Sequence, residues 1–187
     1  MKRGLAILLA GVGLASQAWA VELPIDPASC QNLNSGSLSC TKVLYDHRLT
    51  ASGQDDVRSC QGDNQTRGFV CKFQWPASNP TQVIPYVSWD VGYAGQTTGS
   101  VCWRTSIGCT STGDEYHTRT WGAATVVSNA THPSATAHNV ASLPATTPYN
   151  ASANAVCKIK VERVHRLGGC ANNLTDLARV LWIQLHY

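Results

Sequence analysis

The 187-residue chain carries 14 basic and 11 acidic side chains, and only 13% of its residues are charged. A formal charge of +3 is far from the basic footprint of a nucleic-acid-binding domain, and it gives no reason to expect an anionic membrane surface as partner. Nor does any stretch approach the roughly 18 consecutive apolar residues that a spanning helix needs.

The chain begins with the pattern of a secretory leader. Lys2 and Arg3 form a positive start, Leu5 to Leu14 an apolar segment, and Ala18-Trp19-Ala20 a small-x-small cleavage site. A signal peptide over 1–20 leaves a mature chain from Val21 with 12 basic and 11 acidic residues. No Cys follows the cleavage site, which argues against a lipoprotein anchor. The destination expected is outside the cytoplasm, whether periplasm, cell surface or medium.

All eight cysteines fall in the mature part: Cys30, Cys40, Cys60, Cys71, Cys102, Cys109, Cys157 and Cys170. An even number in an exported chain reads as a disulfide framework. The order along the chain does not select the pairing; nearest neighbours in sequence would give 30–40, 60–71, 102–109 and 157–170. Without a CxxC, CxxCH or HxxxH spacing, a metal site has little to recommend it, and no cofactor is expected.

Strand signals dominate the mature chain. Thr41 to Leu49 is a weak candidate, and Gly68 to Trp75 a clearer one, with Phe69, Cys71, Phe73 and Trp75 on one face. In 83–93, Val83, Val87, Trp89, Val91 and Tyr93 alternate with Ile84, Tyr86, Ser88, Asp90 and Gly92. Pro85 argues for an edge position or for a strand that begins after it. Ser100 to Ile107 sets Val101, Trp103, Thr105 and Ile107 together. His117 to Val127 and Ala137 to Leu143 are weaker, inside a low-charge Thr/Ala/Ser/Asn stretch from Ala123 to Ala155 that reads as long loop, weak edge strands or both. Cys157 to Val164 alternates Cys157, Ile159 and Val161 with Lys158, Lys160 and Glu162. Asn173 to Ala178 alone has helical character, and Arg179 to Tyr187 closes the chain with Leu181, Ile183, Leu185 and Tyr187 on one face.

So many short strands between Gly, Asn, Ser and Pro clusters predict an all-β protein, an antiparallel, jelly-roll-like β-sandwich. A composition shift near Ala77 to Thr81 divides a cysteine-rich N-terminal part, 21–78, from a main sandwich, 79–187. The same pattern is compatible with one shared core.

Four segments carry a family resemblance. They are Val87-Ser88-Trp89, then Gly99-Ser100-Val101-Cys102-Trp103, then the strand Cys157 to Arg163. The last is Asn173-Leu174-Thr175-Asp176-Leu177-Ala178-Arg179-Val180-Leu181, running into Gln184-Leu185-His186-Tyr187. In this order, residues 83–187 resemble a β-sandwich module of phage tail and virion-associated proteins and of related bacterial proteins. The resemblance implies a sandwich with a structural or attachment role and brings no catalytic residues. The cysteines and the leader turn that role toward the cell envelope or the medium.

Catalytic patterns are weak. Asp90 with Asp114 or Glu115 is the best carboxylate pair for a polysaccharide hydrolase, but Asp114 sits in a turn-like Ser-Thr-Gly-Asp stretch. No G-x-S-x-G elbow occurs, His47 and His165 have no evident partner serine, and His186, alternating with Trp182 on one face of the last strand, reads as a half-buried hydrogen-bonding residue. The expectation is a non-enzymatic structural or attachment protein, partnered by copies of itself, another envelope protein or a glycan. The alternative is a carbohydrate-binding module with Trp121, Tyr116 and Arg119 as the ligand residues, because an aromatic ring beside polar side chains suits a sugar.

Overall fold

The computed structural model describes residues 21–33, 40–46, 54–61, 65–91, 98–110, 120–131, 138–165, 170, 173–175 and 177–187 (side chains 28, 42–46 and 54–56 excepted). Among them, regular structure is strand apart from one 3-10 turn at Pro27–Ser29. The strands are β1 (Glu22–Ile25), β2 (Gln31–Asn32), β3 (Thr41–Asp46), β4 (Gln54–Cys60) and β5 (Arg67–Gln74). Next come β6 (Ile84–Asp90), β7 (Ser100–Thr110) and β8 (Thr125–Ala130). The chain closes with β9 (Asn139–Ser142), β10 (Val156–Arg163) and β11 (Ala178–His186). The leader predicted over 1–20 lies outside the described residues.

Two antiparallel sheets face each other. One has the order β3-β4-β11-β6-β9, with β1 also on β11; the other is β2-β5-β10-β7-β8. The pairs β4·β11, β5·β10, β6·β9 and β7·β8 nest, each inside the one before. That nesting is a long antiparallel hairpin wound around itself, which is the jelly roll. Both sheets take strands from either side of residue 78.

The core is made by the alternation seen in the sequence. Phe69 and Cys71, Val87 and Trp89, Val101, Trp103 and Ile107, and Cys157, Ile159 and Val161 are all buried between the sheets. Trp89 and Trp103 meet edge to face at 6.0 Å, and the Trp89 indole N–H donates to Asn129 Oδ1 at 2.8 Å. Each ring thus contributes apolar area, and Trp89 keeps its polar atom paired.

Four expectations are corrected. The disulfides join Cys30–Cys71, Cys40–Cys60, Cys102–Cys170 and Cys109–Cys157, and no cysteine is free. Cys102 and Cys109 lie seven residues apart along the single strand β7. At about 3.3 Å per residue they are far beyond the roughly 4.4–6.8 Å a disulfide spans. Cys109 bonds instead to Cys157, directly opposite it on β10.

Pro85 is neither at an edge nor before the strand, since β6 runs between β11 and β9. Its carbonyl accepts the Leu143 N–H at 2.9 Å, and a residue's N–H and C=O point to the same side of a strand. The missing N–H therefore faces a point just past the end of β9, and the ladder to β11 loses nothing.

The segment 173–178 is not helical where it is described. Asn173 Oδ1 accepts the Ser100 N–H at 2.6 Å, and the Asn173 and Leu174 N–H groups donate back to the Ser100 carbonyl. Leu174 is buried by this clasp.

Lastly, a register shift between Val180 and Trp182 resets the alternation of β11. Ala178 and Val180 face inward before it, Ile183 and Leu185 after it, and Leu181 is left half-buried. The low-charge stretch supplies β8 and β9, each at the edge of its sheet.

Candidate functional site

The outer face of the five-stranded sheet gathers cations. Because β10 alternates, burial of Cys157, Ile159 and Val161 sends Lys158, Lys160 and Glu162 outward. Register then fixes their neighbours: Lys72 of β5 lies directly opposite Lys158, and Val70 opposite Lys160. Gln31 of β2 continues the second row beside Val70.

On the other side of Lys158 stands Gly108 of β7. Its bareness is required, because a Cβ there would lie 2.5 Å from the Thr120 carbonyl oxygen and 3.6 Å from Trp121 Cα. The chain crosses the sheet at this point. The Gly122 N–H donates to the Ile107 carbonyl at 2.9 Å, the Tyr149 N–H shares that acceptor at 3.0 Å, and the crossing is pinned.

Trp121 is thereby set down on the lysine face, half-buried, with Lys160 Nζ 5.3 Å from its ring centroid. An ammonium at that distance is held by the negative face of the indole. Between Trp121 and the segment Gln31–Leu33 runs a groove of about 270 Å³. Val70, Lys72, Lys158 and Lys160 complete its lining.

A carboxylate lies to one side. Glu162 Oε2 accepts from Arg104 Nε at 2.7 Å and lies 3.5 Å from Lys160 Nζ. One carboxylate is shared by two cations, so among the described residues of this face cations outnumber carboxylates. No catalytic dyad is assembled among the described residues lining this groove.

Of the three ligand residues expected from sequence, Trp121 lies in the groove; Tyr116 and Arg119 lie outside the described residues. Asp90 sits on the other sheet, buried, and held by Arg179 at 2.7 and 2.9 Å. Its suggested partners Asp114 and Glu115 lie outside the described residues. In the sequence the lysines read only as the solvated sides of two strands. Their alternation is visible there, but not their meeting.

The opposite sheet carries its own aromatic group. Tyr86 and His186 stack with centroids 4.2 Å apart, and half-buried Trp182 stands one row along β11. His186 Nε2 is 3.3 Å from Gln184 Oε1 and 3.8 Å from Glu22 Oε1. The Trp121 face joins an aromatic ring to a groove lined by hydrogen-bonding side chains.

No protein-family model matches the chain, and no curated protein matches it. Among solved structures it is similar to the family 11 carbohydrate-binding module from Clostridium thermocellum, solved in complex with a β-1,3-1,4-mixed-linked tetrasaccharide. The identity is 11% and the TM-score 0.46, over 88% of this chain and 94% of that one. The groove is therefore read on its own geometry. Among the described residues no helix is long and apolar enough to cross a membrane.

Proposed function

We propose that the protein is an exported, non-enzymatic attachment module that holds carbohydrate in the Trp121 groove. The observation carrying this reading is a half-buried indole set beside hydrogen-bonding side chains on the outer face of the sheet. An indole offers a flat apolar surface to the C–H face of a sugar, and Gln31 and the lysines offer donors to its hydroxyls. The groove is slightly smaller than the roughly 300–1,000 Å³ of drug-sized pockets, which suits a short stretch of a longer chain. Four disulfides support a destination in an oxidising compartment.

The test is native affinity electrophoresis through gels containing neutral and acidic polysaccharides. At least one polymer should retard the wild-type protein, and Trp121→Ala should weaken that retardation about tenfold or more, the usual loss for a central aromatic contact. Melting of the variant should stay close to wild type, because the indole lies on the outer face. No retardation by any polymer, or retardation indifferent to Trp121→Ala, would refute the reading. Release of reducing ends from a bound polymer would make the protein an enzyme instead.

A further inference from the structure

We infer that the Trp121 groove selects glycans bearing anionic substituents, carboxylate or sulfate, and that Lys72, Lys158 and Lys160 are the residues that recognise them. This rests on the carbohydrate reading and names the class of sugar.

Three observations carry it. The chain has five lysines, at 2, 42, 72, 158 and 160, and three of them line this one groove. A face that only needed to be soluble would not collect a scarce residue in two neighbouring strands.

Lys72 and Lys158 are, moreover, direct cross-strand partners. Like charges in that relation work against the sheet. An anion lying across the two strands meets both side chains at once, which a single lysine does not offer.

Lys160 supplies the third argument. Its ammonium lies over the Trp121 ring, 5.3 Å from the centroid. A neutral sugar stacking on that side of the indole has to displace a cation already held there. An acidic sugar pairs with the ammonium and keeps it. Glu162 offsets this charge only in part, because the Oε2 that lies 3.5 Å from Lys160 Nζ is also held by Arg104 Nε at 2.7 Å.

The test compares gels containing polygalacturonate, its carboxyl-reduced neutral form, carrageenan, desulfated carrageenan, or polyacrylate. One or both charged glycans should retard the protein at low ionic strength, and their neutral forms should not; which of the two acts tells carboxylate from sulfate. Lys72→Gln and Lys160→Gln should each weaken binding roughly three- to tenfold, as loss of one charged hydrogen bond does. Lys72→Arg should retain most of it, and added salt should weaken the wild type severalfold.

Equal retardation by charged and neutral forms, with the lysine variants unchanged, overturns the inference and leaves the carbohydrate reading standing. Retardation by neither charged glycan also overturns it. Polyacrylate binding as strong as polygalacturonate binding, and indifferent to Trp121→Ala, removes both readings, since charge alone would then explain the groove.

Discussion

At the scale of single residues, the protein shows how neighbours decide what a side chain is for. Trp89 and Trp103 are fully buried on inward positions of β6 and β7, whereas Trp121 lies half-buried where the chain crosses the outside of the sheet. Composition cannot separate these roles; only the first two fall on clean alternations. The lysines make a second case. If the pairing of Lys72 with Lys158 opposes the fold, Lys72→Gln should stabilise the ligand-free protein by about 0.2–1 kcal/mol. Denaturant midpoints at low salt read this directly, and a loss of stability would mean that Lys72 contributes packing or pairing that outweighs the repulsion.

At the scale of elements, the Cys102–Cys170 disulfide and the clasp before β11 hold together what the strand ladder leaves apart. Cys102–Cys170 joins residues 68 apart in sequence, and the Asn173–Ser100 contacts fasten the same approach to β11. Peptide mapping without reduction should recover the pairs 30–71, 40–60, 102–170 and 109–157. Replacing Cys102 and Cys170 together by Ser should lower stability by about 2–5 kcal/mol, measured by urea unfolding under otherwise oxidised conditions. The shift in β11 belongs at this scale as well. A strict period of two predicts Leu181 inward, but one extra residue lets Val180 and Ile183 both reach the core. Nothing in the local composition announces such a bulge, because its reason is the fit of β11 against β6.

At the scale of the whole molecule, the jelly roll ties both parts of the chain into one core. β4 and β5 precede residue 78, yet they pair with β11 and β10 near the C-terminus. A chain cut to residues 79–187 would expose the edges of both central strands while keeping Cys102, Cys109, Cys157 and Cys170. It should fail to fold, seen as loss of near-ultraviolet dichroism. The full mature chain should unfold in one calorimetric transition whose measured and van't Hoff enthalpies agree. Two transitions would instead divide the molecule at the composition shift.

The sequence by itself determined the class of the fold, the inward faces of the clear strands from Phe69 to Val161, and the use of cysteine as disulfide. Those are local facts. Alternation is a property of one extended segment, and burial results from it wherever a second sheet is present. Cysteine pairing, the place of Pro85 and the meeting of Trp121 with three lysines were decided only by the tertiary structure. Each depends on which strands lie side by side and in what register. That is settled by contacts between residues tens of positions apart, which leave no periodic signal in either partner alone.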